Sequence, residues 1–171
     1  LNFRLSNRGV GYKSKTVIPL FNGGNFGSDY NDKYEPIDVE VPSSTVHSEL
    51  VVIVSGHGQE DGNNCAEWCN HQHEFTINGD TSYTKDHAGQ AGTMYGCAEM
   101  VDDGVPPGQY GNWAPGRAAW CPGLPVHPWI VDVTSDLKPG QTHSLTYRGL
   151  YQGNTPAGGR SRLNSFLVLY E

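Results

Sequence analysis

The chain predicts an all-β fold, an antiparallel sandwich of short strands, on three observations. Hydrophobic residues make up 36% of the sequence against 22 Gly and 11 Pro, a balance that leaves little room for long helices. Period-2 or β-branched runs of strand length recur along the chain, separated by clusters of Gly, Asn, Asp and Pro. At 171 residues the length is that of one ordinary domain, in which roughly 70% of the unfolded surface can be buried.

Taken in order, LNFRLSNR sets Leu1, Phe3 and Leu5 against Asn2, Arg4 and Ser6, the alternation of a half-buried strand. It is either the N-terminal strand of this domain or the last strand of a preceding one, followed by the linker SNRGVGYKSK. Residues 1–12 are therefore read as the end of a preceding domain or a linker, and 13–171 as one β domain. KSKTVIPL (13–20), IDVEV (37–41) and ELVVIVSG (49–56) are the next strands, the first closed by Asn22-Gly23-Gly24. HEFTIN (73–78) and the following TSYTK flank Asn78-Gly79, a hairpin signal because both residues accept positive φ. PWIVDVT (128–134), HSLTYRGL (143–150) and NSFLVLYE (164–171) bring the count to seven or eight strands, in a sandwich or jelly roll rather than a closed barrel. Ala88 to Gly123, rich in Gly, Pro, Trp and Tyr, has no sustained period and reads as a long functional loop.

Charge narrows the partners. Eleven Lys+Arg against eighteen Asp+Glu give a formal charge of −7, with no basic stripe to follow a phosphate backbone, so nucleic acid is disfavoured. No apolar run reaches the roughly 20 residues of a membrane helix. The N-terminus carries neither an initiator Met nor a signal-peptide core, so the chain reads as mature or cut.

Cys65, Cys69, Cys97 and Cys121 allow three disulfide pairings, or a zinc site. Structural zinc usually takes two closely spaced cysteine pairs, and only Cys65 and Cys69 are close. Two disulfides, Cys65–Cys69 and Cys97–Cys121, are favoured, which implies an oxidising compartment or secretion.

Reactive side chains concentrate in SGHGQEDGNNCAEWCNHQHEF, which holds His57, Glu60, Asp61, Glu67, His71, His73 and Glu74. Glu67, inside a small Cys65–Cys69 ring, would have the restricted freedom that a catalytic acid or base requires; the plainer alternative is a stapled turn with a solvated Glu. His71-Gln72-His73 at a strand start puts two imidazoles on one face, a spacing able to chelate copper or zinc, with Met94, Met100 or His57 as third ligand; metal-free surface histidines are the alternative. A second cluster, GNWAPGRAAWCPG, sets Arg117 between Trp113 and Trp120. Trp faces stack on sugar C–H surfaces and Arg pairs with carbonyls, so the loop suits a glycan or a peptide backbone, unless it is simply packed. Serine-hydrolase, zinc-protease and phosphate-loop motifs are missing from the sequence.

SGHG, NCAEWCNHQH, GCA and above all GNWAPGRAAWCPG resemble the peptide-N-glycosidase F family, specifically its second, C-terminal domain. GYKSKTVIPLF, DVEVP and VHPWIVDV extend the resemblance in weaker form over nearly the whole chain. It implies an eight-stranded jelly roll with two disulfides, Cys65–Cys69 and Cys97–Cys121, lying beside a first jelly roll, with the active site between the two. It further implies Glu67 as a catalytic glutamate, Arg117 as an active-site arginine and Trp120 as a cleft tryptophan. Trp113 and His57 join these as substrate-binding candidates. The implied reaction is metal-free and cofactor-free hydrolysis of the amide between asparagine and N-acetylglucosamine, on an N-glycosylated protein or glycopeptide. The family's principal aspartate and a second glutamate belong to the other jelly roll, so a preceding domain or subunit is the implied partner. This chain departs from the family pattern at His57, where the family's reference enzyme has Trp, and at Gly116, where it has Asp. Two further readings stand beside the amidase: a non-catalytic extracellular structural or glycan-binding module, and a copper monooxygenase-like domain using His71 and His73.

Overall fold

A computed structural model of the protein describes residues 11–58, 66–108, 111–156 and 158–171. LNFRLSNR, Glu60, Asp61 and Cys65 lie outside the described residues. Alternation in the sequence becomes alternation in burial. In β1 (Ser14–Asn25), β2 (Ile37–Glu40), β3 (His47–His57) and β4 (His71–Ile77), and in β5 (Thr81–Lys85), β6 (Trp129–Asp132), β7 (Thr142–Tyr151) and β8 (Arg160–Tyr170), each strand run expected from KSKTVIPL onward is found. β4 is the clearest case, because His71, His73, Phe75 and Ile77 are buried while Gln72, Glu74 and Thr76 are not.

The strands form two four-stranded antiparallel sheets, ordered β1-β8-β3-β6 and β2-β7-β4-β5. Among the described strands, only β4 and β5 are consecutive neighbours in one sheet; the other connections pass between sheets, so the inner faces enclose one core. Leu50, Val52, Val54, Leu163, Leu167 and Leu169 fill it from the first sheet. Phe75, Ile77, Leu145 and Tyr147 fill it from the second. Completely burying a side chain of this kind stabilises by about 1.5–3 kcal/mol.

The Asn78-Gly79 turn forms as the sequence predicts, with φ of 54° and 77° and Asp80 N–H donating to the Ile77 carbonyl at 3.1 Å. Ile77 then pairs with Thr81, so three residues close the hairpin and the register continues as Phe75 with Tyr83 and His73 with Lys85. Among the described residues, the long connection from β5 to β6 contains a single 3-10 turn, Ala98–Met100, and no strand. Cys97 and Cys121 are joined across it, with Cα atoms 5.5 Å apart. Their buried sulfurs and Val105 form a small second core, against which Met100, Trp113 and Leu124 pack. Cys69 is not free; its expected partner Cys65 falls outside the described residues.

Candidate active site

Gly56, near the end of β3, is where two loops meet. Its N–H donates to the Ala118 carbonyl at 3.0 Å, and Ala118 N–H donates to the Glu67 carbonyl at 2.8 Å. The turn at 66–68 and the loop at 111–123 are thereby hydrogen-bonded over the end of one strand. Only glycine fits there: a Cβ on Gly56 would lie 1.6 Å from the Ala66 carbonyl oxygen. Gly116 is held as tightly, since a Cβ would come within 2.1 Å of the Gln90 carbonyl oxygen. Gly116 therefore serves the packing of this loop, at the position where the family resemblance places an Asp.

Glu67 projects from this junction with its side chain 16% exposed. Its Oε1 accepts from Arg117 Nε at 2.9 Å and its Oε2 from Gly58 N–H at 3.0 Å, the latter from a residue at φ 88°. Both carboxylate oxygens are thus fixed by charge-assisted bonds, about twice as strong as neutral ones.

Arg117 is 3% exposed. Its Nη2 donates to the Asn112 carbonyl at 2.7 Å, and its Nη1 contacts the Trp113 and Pro115 carbonyls at 3.4 Å each. The loop curls around its own guanidinium, satisfying a buried charge with carbonyl oxygens and one carboxylate. Trp68 and Trp120 flank it, with ring centroids 4.5 and 4.8 Å from Arg117 Cζ.

Trp120 is fixed in turn by its Nε1–H, which donates to the Gly56 carbonyl at 2.8 Å. His57 stacks on it, with centroids 4.9 Å apart and planes inclined by 28°. Burial pushes the His57 imidazole below its ordinary pKa of 6.5, Glu67 opposes this, and Arg162 and Arg117 add to it. The structure thus brings Glu67, Arg117, Trp120 and His57 into one contact network. Trp113 joins it by its backbone carbonyl, while its ring packs on the core around the disulfide. A cleft of about 1000 Å³ opens beside this network, sharing Trp120 with it and rimmed by exposed Met94 and Tyr95.

The histidines of β4 are placed differently from the surface pair the sequence also allowed. His71 and His73 are 1% and 0% exposed, and the third residue beside them is His87 rather than Met94, Met100 or His57. Burial drives the pKa of His71 down to about 4 and that of His87 to about 2, and holds His73 well below its ordinary value. All three are neutral imidazoles near pH 7. Sequence reading missed His87, and missed Trp68 and Gly58 as the groups that complete the settings of Arg117 and Glu67.

The profile of the family described as "Peptide-N-glycosidase F, C terminal" matches residues 25–169. A relative from Elizabethkingia miricola, peptide-N(4)-(N-acetyl-beta-D-glucosaminyl)asparagine amidase F, is 30% identical over 138 residues, covering 77% of this chain and 36% of the relative. The crystal structure of a peptide-N(4)-(N-acetyl-beta-D-glucosaminyl) asparagine amidase superposes with a TM-score of 0.70 at 26% identity, over 94% of this chain and 53% of that one. PNGase F, a glycosylasparaginase from Flavobacterium meningosepticum, shares the fold at a TM-score of 0.63 and 24% identity, over 94% of this chain and 53% of its own. The chain thus spans about half or less of these proteins.

Proposed function

Because the chain belongs to the peptide-N-glycosidase F C-terminal family, we propose that it is one half of an N-glycan amidase. Water is added across the amide joining asparagine to N-acetylglucosamine, leaving aspartate on the peptide and releasing a glycosylamine. The observation that carries this reading is the Glu67 carboxylate, oriented at 2.9 Å by a buried arginine and 16% exposed at its tip. Such a group is a fixed acceptor for the proton of a water or a sugar hydroxyl, with its reorganisation cost already met by folding. Arg117 acts through Glu67, since its own donors are engaged by the loop. The partly exposed Trp120 and His57 offer aromatic surface to the core sugar, and Trp113 braces the loop by packing on the disulfide core.

The missing aspartate is supplied by a preceding domain or subunit. Two observations favour such a partner: the relatives are longer than this chain, and the outer face of the first sheet carries exposed Val17, Ile53 and Ile130. On this reading residues 1–12 lead from that domain and 13–171 form the second jelly roll, a form that the strand order 1-8-3-6 and 2-7-4-5 supports. A second disulfide, Cys65–Cys69, staples the Glu67 turn, and the protein is secreted, as the Cys97–Cys121 bond favours.

The test is glycan release from an N-glycopeptide by the full-length protein, followed by mass spectrometry for the Asn-to-Asp conversion. An inert full-length protein overturns the amidase reading. The cleft beside Trp120 favours one alternative, a glycan-binding module without hydrolysis, which glycan-array binding by that same inert protein would identify.

A further inference from the structure

The hairpin register assembles three imidazoles inside the sandwich. His73 pairs with Lys85 across β4 and β5, and extending that register by two residues sets His87 opposite His71. Paired residues of an antiparallel ladder share a face, so both rings enter the core. The centroids of His71 and His87 are 4.4 Å apart, and those of His71 and His73 are 4.8 Å apart. The three residues are between 0% and 2% exposed.

Their nitrogens are incompletely satisfied. His71 Nε2 donates to the Ala66 carbonyl at 2.9 Å, and because a carbonyl only accepts, Nδ1 keeps the lone pair. That Nδ1 is buried without a partner among the described residues. His73 Nδ1 is taken by the Tyr147 hydroxyl at 2.7 Å, leaving Nε2 buried and without a partner among the described residues. Neither His87 nitrogen has a partner among the described residues. Buried polar atoms are paired in the great majority of cases, so four unpartnered imidazole nitrogens in one cluster call for an occupant.

We propose that His71, His73 and His87 bind a divalent transition ion of the zinc type in the interior of the sandwich. One ligand nitrogen from each residue lies within 4.8 Å of the other two. Two nitrogens bound to tetrahedral zinc at about 2.1 Å lie about 3.4 Å apart, so a pair at the upper end of that span closes by roughly 1.4 Å on binding, a movement that rotation of the imidazoles supplies. The Ala66 carbonyl fixes His71 in the tautomer whose Nδ1 can ligate, and the Tyr147 hydroxyl is an acceptor for the Nδ1–H that His73 carries when its Nε2 ligates. Through the Ala66 carbonyl the site is braced against the residue next to Glu67, so the ion stiffens the turn that carries the carboxylate. Its role is structural, because ligands this deeply buried hold the ion away from any substrate in the cleft. A bridging water is the competing occupant.

The test is a titration of the chelator-stripped protein with Zn²⁺, followed by long-range nitrogen-proton NMR of the imidazoles, with Co²⁺ absorption in parallel. The proposal expects one ion per chain, with shifts at His71 Nδ1 and His73 Nε2 and at one His87 nitrogen, and visible Co²⁺ bands of tetrahedral intensity. His87→Gln is expected to weaken binding by roughly 100-fold or more, beyond what loss of an outer-shell partner costs. Unmoved resonances of these three rings at millimolar-order Zn²⁺ would overturn it and leave water as the occupant. Stoichiometric binding retained in folded His87→Gln would overturn it as well, by placing the ion elsewhere. Should that variant fail to fold, the wild-type resonances decide alone.

Discussion

Arg117 Nε donates to Glu67 Oε1 at 2.9 Å from a guanidinium that lies between the rings of Trp68 and Trp120. The two residues are 50 positions apart in sequence and belong to loops that the end of β3 holds together. This pair does more for the fold than a surface ion pair could, since its cation is 3% exposed and also organises the carbonyls of its own loop.

Removing that cation should therefore be costly. Arg117→Ala leaves the Glu67 carboxylate without its main partner and the loop carbonyls without their donor, for a loss of about 3–5 kcal/mol. Arg117→Lys keeps the charge but loses the fork, and should fall between that variant and wild type. Urea unfolding midpoints check both, and an Arg117→Ala variant within about 0.5 kcal/mol of wild type would contradict the packing described.

Two glycines separate clash from conformational preference. Gly56→Ala places a Cβ 1.6 Å from the Ala66 oxygen, against backbone that cannot give way, and should destabilise by more than about 3 kcal/mol or prevent folding. Gly79→Ala has no atom within 4 Å but sits at φ 77°, so about 1 kcal/mol is expected. Thermal unfolding of the two variants side by side reads the difference.

His57 should titrate below 6.5, because burial and the Arg162 and Arg117 charges outweigh Glu67. A histidine depressed on folding contributes stability above its unfolded pKa, and that contribution is lost as pH falls from about 6.5 through the lowered folded value. Glu67→Gln removes an opposing charge and should move the midpoint further down, whereas Arg162→Gln should move it up. Proton NMR of the imidazole gives both signs directly.

Opening the Cys97–Cys121 bond, whose ends are 24 positions apart, should cost about 3–4 kcal/mol by the chain-entropy estimate. The double substitution to Ser also loosens the loop that seats Arg117, and should raise hydrogen-exchange rates at the Ala118 amide, which donates to the Glu67 carbonyl. Exchange at Val52, in the middle of β3, should change less.

The strands were legible because their period of two is a local signal. Every run from KSKTVIPL to NSFLVLYE became a strand, and the Asn78-Gly79 turn formed as its chemistry required. The site was legible in its residues and illegible in its connections. Which groups would hold the Arg117 guanidinium depends on loop geometry, and a Trp in CAEWC carries no mark that it will lie over an arginine from another loop. His87 is the instructive miss. It stands 14 residues beyond His73 with no motif around it, yet the hairpin centred on Asn78-Gly79 places it opposite His71 once the loop is known to hold three residues rather than two. A two-residue loop would have set Asp86 there and turned His87 to the other face.

The central claim, that Glu67 is an oriented acceptor in an amidase completed by a partner domain, is tested most directly by kcat/KM of the full-length protein and its Glu67→Gln variant on an N-glycopeptide. The account predicts glycan release by the wild type, and a loss of roughly 100-fold or more in a variant whose fold persists, as expected for removal of a general acid or base. Glycan release by Glu67→Gln within about twofold of wild type would contradict it.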